Sequence, residues 1–201
     1  MSDVVVGSDG IARCPWAGGG DPDYESYHDT EWGRPQHDDR RLFEKLSLEA
    51  FQSGLSWLTI LRKRPAFREA FANFDIDRVA AFDDADVARL LGDARIVRNR
   101  AKITAVIANA AATRGLIDDV GSLDGFLWSF APTDDKPAPR TLGDIPATTP
   151  ESTAMARELK RRGLRFVGPT TCYALMQAAG MVNDHLADCT FRPAASDVAT
   201  P

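Results

Sequence analysis

Two Cys/His pairs at opposite ends of the chain constrain the fold more than any other feature: Cys14 with His28 near the start, and His185 with Cys189 in the segment NDHLADC near the finish. Two thiols and two imidazoles are donors that tetrahedral Zn²⁺ takes, and four protein ligands leave no open position for a catalytic water. A structural zinc held this way ties the two ends together, and the chemistry then lies elsewhere. His185 and Cys189 stand at i and i+4, which predicts one helical turn presenting both ligands on one face. With three Cys and three His in the chain, chance pairing is the competing reading. The other two residues have plain explanations: Cys172 sits in an apolar helical run as a small hydrophobe, and His37 in a polar turn before a helix.

The 201 residues, 44% hydrophobic, suffice for a core without covalent staples. Three widely spread cysteines make no disulfide framework and fit a reducing compartment. No stretch approaches the roughly 18 apolar residues of a membrane span, and the N-terminus lacks a basic region ahead of its short apolar patch. These features predict a cytoplasmic protein with no membrane partner. The net charge of −5 argues mildly against nucleic acid, although one basic face outweighs a global sum.

Helical periodicity dominates. Residues 38–53 carry acidic capping residues, Leu42, Phe43, Leu46 and Ala50 at helical spacing, and Gly54 as a stop. Ser56 caps a second helix that Pro65 is expected to interrupt, and amphipathic runs follow at 65–73, 77–92 and 96–114, the last ending at Gly115. No period-two run appears, so no sheet is expected. The proline-rich stretch 131–149 reads as a linker or surface loop, and Thr149 with Pro150 opens a helix to Arg162. Beyond it, Gly163 stops that helix, an apolar pair packs the turn inward, and Gly168 allows close backbone approach before Pro169 starts the next helix. This has the shape of a helix-hairpin-helix, whose backbone amides can take a phosphate without lysine. An ordinary helical hairpin is the alternative, and Arg161, Arg162 and Arg165 beside it favour DNA.

Glu49 lies seven residues beyond Leu42 on the same helical face, so a carboxylate projects from the apolar stripe. Burying it costs several kcal/mol unless it is paired, which makes it either a functional group or a stripe-edge residue bound to a neighbour such as Lys45. Although aromatics are only 8% of the chain, Trp16, Tyr24, Tyr27, Trp32 and Trp57 gather around Glu49 and the proposed metal ligands. A carboxylate among stacking rings suits a pocket for a flipped-out nucleobase.

The blocks CPW, DYESYHDTEWG, RRLFEKLSLEAFQSGLSW, IVRNRAKITAVIANA, FLWSF, RRGLRFVGPTTCYALMQAAG and MVNDHLADC, in this order, resemble the DNA-3-methyladenine glycosylase I family over about residues 13–192. The resemblance implies an all-α, two-lobed helix-hairpin-helix fold with zinc on Cys14, His28, His185 and Cys189. It implies a single unit over 13–192, with a loose tail at 1–12 and another at 193–201. Glu49 becomes the residue that reads the base, Tyr27 its hydrogen-bonding companion and Trp57 the stacking ring, with Trp16, Tyr24 and Trp32 lining the cavity. Gly163, Phe166, Val167, Gly168 and Thr170 would grip the backbone of double-stranded alkylated DNA, and Leu55 would probe the gap in the duplex. The implied activity is hydrolysis of the N-glycosidic bond of 3-methyladenine by a monomer. Thr170 and Thr171 offer no lysine for a Schiff base, so an abasic site is the expected product. A non-catalytic DNA-binding module and a zinc hydrolase are the rival classes. Ala50 and Ser53 depart from the glycine and alanine expected of the family, and Ala50 is expected to narrow the pocket slightly. A structural role is expected for Asp184 and Asp188.

Overall fold

The computed structural model describes residues 2–133 and 137–193; most of the expected C-terminal tail therefore lies outside the described residues. Helices dominate: α1 (Pro22–Thr30), α2 (Asp39–Gln52), α3 (Trp57–Ala70), α4 (Ile76–Ala80), α5 (Asp84–Gly92), α6 (Arg100–Val120), α7 (Leu123–Trp128), α8 (Pro150–Arg161) and α9 (Pro169–Ala178). Contrary to the expectation of no sheet, β1 (Val5–Val6) pairs antiparallel with β2 (Ala12–Arg13). All of this ladder but Arg13 lies in the stretch expected to be a loose tail, and the backbone N–H of Asp3 also donates to the Arg140 carbonyl.

The capping residues act as their chemistry dictates. The side chains of Asp38, Ser56 and Thr149 accept backbone N–H groups at the starts of α2, α3 and α8. Three boundaries differ from the sequence expectation. Pro65 does not interrupt α3: losing one helical hydrogen bond costs about 3 kcal/mol, but Ile60 and Leu61 before it and Phe67 and Ala70 after it are buried, and that packing keeps the helix continuous. The run 77–92 is split into α4 and α5 because Asp83 forms a capping box with Asp86. Gly115 stays inside α6, which ends instead at Gly121. Buried Leu116 just beyond Gly115 outweighs its helix cost of about 1 kcal/mol.

The core sits around α2, in which all ten residues from Leu42 to Phe51 are buried. α2 packs against α9, α3 and α7, while α4 packs on α6 and α8 on α9. Phe43 and Phe51 of α2 pack with Phe67, Phe71 and Phe74 to fill the space around it. To bury Phe74, the chain adopts positive φ at three consecutive residues, Ala72, Asn73 and Phe74, and stacks the Phe71 and Phe74 rings with centroids 5.6 Å apart. A second, smaller cluster gathers Cys14, Tyr27, Trp32, Leu186 and Cys189 from the two ends of the chain, and Trp57 and Ile145 pack against both clusters.

Candidate functional site

Helix α1 carries Tyr24 and Tyr27, the turns before and after it carry Trp16 and Trp32, and Trp57 opens α3. Asp21 caps α1 by accepting from the N–H groups of Asp23 and Tyr24, and Arg62 of α3 binds both Asp21 and Asp23, docking the two helices. Tyr24 accepts the backbone N–H of Leu58. Trp16 stands edge-on to Tyr24 and to Trp32, with centroids 5.5 and 5.1 Å away, and Tyr27 lies tilted against Trp57 at 5.4 Å. These five rings and Glu49 wall a cavity of about 340 Å³, at the small end of the range of small-ligand pockets.

Three charged residues of α2 are buried, and two of them are paired. Glu44 binds Arg41 and Arg68, and Lys45 binds Glu31. Glu31 also takes Arg64, so one carboxylate at the end of α1 occupies both cations near the cavity. Glu49, 6% exposed, has no hydrogen bond or ion pair among the described residues. The alternative that Lys45 neutralises Glu49 by direct contact therefore fails. Burial pushes the Glu49 carboxyl up to about 8, with the more distant Lys45 charge opposing. Tyr27 beside it is also raised, first by burial and then by the Glu49 charge.

The helical-stripe reasoning thus singled out a residue that is buried and lines the cavity, but the stripe is not what sets it apart, since α2 is buried all round. Ala50 is buried but is not part of the cavity wall, so the expectation that it narrows the pocket is not met; Ser53 is exposed. Sequence reasoning missed Gln52, Ala174 and Gln177 in the wall. It also missed Leu142 and Ile145, which come from the stretch read as a linker. Asp184 accepts from Tyr173 and Gln177 of α9, which fits the expected structural role and fixes one end of the Gln177 side chain beside the cavity.

The four donors from the chain ends converge. Cys14, His28, His185 and Cys189 are buried, with their ligand atoms within 4.8 Å of one another. Cys189 Sγ lies 3.5 Å from His28 Nε2 and 3.5 Å from His185 Nδ1, and Cys14 Sγ lies 3.8 Å from His185 Nδ1. Around a tetrahedral Zn²⁺, with bonds of about 2.3 Å to sulfur and about 2.0 Å to nitrogen, S and N stand about 3.6 Å apart, so the set fits. The far ring nitrogens are also held as metal-bound histidines require. His28 Nδ1 is 2.8 Å from Asp29, itself gripped by Arg13, and His185 Nε2 is 3.2 Å from the Trp32 carbonyl. Hydrogen bonding from Cys14 and then from the two histidines lowers the Cys189 thiol, while hydrogen bonding to Cys189 and burial raise Cys14.

The helical turn expected to present His185 and Cys189 is absent. Their segment follows α9 as irregular turns, pinned by bonds from Leu186 N–H to Cys14 Sγ, from Ala187 N–H to the Pro139 carbonyl and from Thr190 N–H to the Ala12 carbonyl. External partners for these backbone groups replace the intrahelical bonds that the spacing suggested. Gly33 lets Trp32 pass close to His185: it has φ +74°, and an added Cβ would stand 2.9 Å from His185 Nε2. Gly33→Ala is expected to displace that imidazole and lower metal affinity by roughly 10–100-fold, the usual effect of disturbing a ligand's support. Chelator competition checks this, and wild-type affinity would contradict it.

On the outer surface, Leu55 is 42% exposed at the tip of the turn between α2 and α3, where Gly54 has φ +81°. In the hairpin between α8 and α9, Leu164 and Val167 point inward while Phe166, with φ +57°, is 40% exposed. Val167 is wholly buried, backbone included, so the expectation that it grips DNA is not met; it packs the base of the hairpin. Gly163, Thr170 and Arg165 are exposed, and nothing lies within 4 Å of where a Gly168 side chain would begin.

A helical hairpin, an aromatic pocket with a buried carboxyl and a four-ligand clasp on the chain ends define a helix-hairpin-helix DNA glycosylase fold. The profile of the methyladenine glycosylase family matches residues 16–193, and the chain belongs to that family. It is 45% identical over 184 residues to DNA-3-methyladenine glycosylase 1 of Escherichia coli strain K12, covering 91% of this chain and 98% of that one. A 3-methyladenine DNA glycosylase I in complex with 3-methyladenine is 35% identical with a TM-score of 0.85, over 90% and 98% of the two chains. That of Staphylococcus aureus, solved to explain 3-methyladenine recognition, is 36% identical with a TM-score of 0.86, over 90% and 97%.

Proposed function

We propose that the protein excises 3-methyladenine from duplex DNA, and that Glu49 reads the lesion by its charge. The observation that carries this is a buried, unpaired carboxyl on the wall of a single-base aromatic cavity. Methylation at N3 fixes a positive charge on the adenine of a nucleotide and weakens its glycosidic bond, so no acid is needed to protonate the leaving base. With its carboxyl near 8 in the free pocket, Glu49 is mainly neutral at pH 7. A cationic base beside it favours the carboxylate, so ionisation accompanies lesion binding. That pair, shielded from water, is stronger than in solution. Neutral adenine gains nothing comparable.

Stacking on Trp57 and its neighbours, worth roughly 1–3 kcal/mol per base, offsets the few kcal/mol of unstacking. As the glycosidic bond breaks, its electron pair passes to the base, which becomes neutral, while the sugar gains oxocarbenium character that a nearby carboxylate stabilises before water attacks. The base that leaves then carries no charge to hold it against Glu49. The four ligands at the chain ends hold zinc in a structural role, because they fill a tetrahedral sphere. The hairpin amides and Arg165 hold the DNA backbone, and Leu55 fills the space the base vacates.

Incubation with methylated and unmethylated duplex DNA, followed by chromatography of released bases, tests this reading. The expected result is free 3-methyladenine, alkali-labile abasic sites and no borohydride-trapped adduct. No release, or equal release of adenine, would contradict it.

A further inference from the structure

Helix α6 carries three buried polar side chains that take no part in the pocket, Lys102, Asn109 and Thr113, and the first two reach beyond the helix. Each of these two reaches backbone on a different DNA-facing loop. Lys102 Nζ donates to the carbonyls of Phe51 (2.8 Å) and Ser53 (2.5 Å). The Phe51 carbonyl belongs to the last turn of α2, where carbonyls lack helical partners and the dipole favours a cation. Lys102 therefore caps α2 from outside and fixes the start of the turn that displays Leu55; Ser56 fixes its end by capping α3. Asn109 makes a two-point contact with Arg165: its Nδ2 donates to the Arg165 carbonyl at 3.0 Å, and its Oδ1 accepts the Arg165 N–H at 2.7 Å. Its neighbour Phe166 holds the left-handed conformation at the hairpin tip, a geometry a bulky side chain keeps only when the flanking backbone is fixed.

Lys102 and Asn109 are seven residues apart, within about 20° of the same helical face and about 10.5 Å apart along the axis. We propose that α6 is a ruler between the two loops: Lys102 and Asn109 are positioning residues that set the spacing between the Leu55 turn and the backbone-gripping hairpin, so that both engage one duplex together. This rests on the glycosylase reading for the loops' roles and adds what fixes their relative placement. A cation with two backbone carbonyls and an amide matched to one residue's N–H and C=O are contacts that a generic apolar packing position does not provide.

The test uses the full chain with Lys102→Met, Lys102→Arg, Asn109→Ala and the Lys102→Met/Asn109→Ala double variant. Three readouts are taken: binding of free 3-methyladenine, binding of a duplex containing an abasic site, and single-turnover excision. Each single variant is expected to keep wild-type affinity for the free base. Lys102→Met should slow single-turnover excision at least tenfold with little change in duplex affinity, and Lys102→Arg should restore much of it. Asn109→Ala should weaken duplex binding at least tenfold. In single-turnover excision at subsaturating protein, where weakened duplex binding and slowed bond cleavage both register, the double variant should lose clearly less than the product of the two single losses, since either change alone already upsets the spacing.

Multiplicative losses would overturn the ruler, leaving two independent supports. Parallel loss of free-base binding, or no rescue by arginine, would overturn the positioning role in favour of general stability. A wild-type protein that binds the abasic duplex without excising any lesion would sink the glycosylase reading instead, and the variants' duplex affinities would still decide the ruler.

Discussion

Glu49→Gln is expected to make the protein more stable, by an amount that grows with pH. Burial holds the carboxyl near 8, against an ordinary value of 4.5. Below about pH 4.5 both the folded and the unfolded chain carry the proton, and the residue costs little. Between about 4.5 and 8 the unfolded chain has released a proton that the folded chain retains, so stability falls by up to about 1.4 kcal/mol per pH unit. Above 8 both states are ionised and the full penalty stands, on the order of 5 kcal/mol. The amide of the Glu49→Gln variant has no such titration. The melting temperatures of the two proteins should therefore lie close together near pH 4.5 and diverge by roughly 10–20 °C at pH 8.5, taking about 2–4 °C per kcal/mol for a chain of this size. A constant difference across that range would show that Glu49 is solvated or paired. The sign is informative about function, because a residue whose removal stabilises the fold is kept for another reason.

Removing the metal is expected to lower stability by a comparable amount, concentrated at the chain ends. A cation bound to the folded state alone contributes about 4 kcal/mol when its free concentration is a thousandfold above the dissociation constant. Without it, two sulfur donors and two imidazoles are left buried against one another. Chelation, or Cys189→Ser, should lower the melting temperature by on the order of 10 °C. Hydrogen exchange should speed up first in residues 2–20 and 181–193, which the clasp pins together, while α2 and α6 stay protected by the phenylalanine core. Acidification should release the metal as the imidazoles take protons. An unchanged melt after verified metal removal, or equal loss of protection in α2, would contradict the structural role.

The residues of the site were legible wherever one side chain's chemistry sufficed. Glu49, the five rings and the four ligands could be picked out because carboxylates, indoles, thiols and imidazoles are costly or rare in a plain core. What failed was the backbone that presents them. The i, i+4 spacing of His185 and Cys189 predicted a helix, yet partners at Cys14, Pro139 and Ala12, distant in sequence, took the backbone bonds that a helix needs. Pro65 and Gly115 were misjudged for the reverse reason: burial on both sides outweighed a local breaking signal. Leu142 and Ile145 reach the cavity from a proline-rich stretch without periodicity. The pairing of Glu31 with both Lys45 and Arg64, which leaves Glu49 alone, is a tertiary fact with no local trace. Lys102 and Asn109 carry no signal in the sequence that sets them apart from the other polar residues of a long helix; their partners are the backbone of distant loops.

The measurement closest to the central claim is single-turnover release of 3-methyladenine from one methylated duplex by the wild-type protein and by Glu49→Gln, at matched duplex occupancy near pH 7. The substituted amide keeps the shape of the side chain but cannot carry the charge, so release should slow by roughly a hundredfold or more, with duplex affinity unchanged. Release at the wild-type rate by Glu49→Gln would show that charge at this position plays no part in selecting or excising the damaged base.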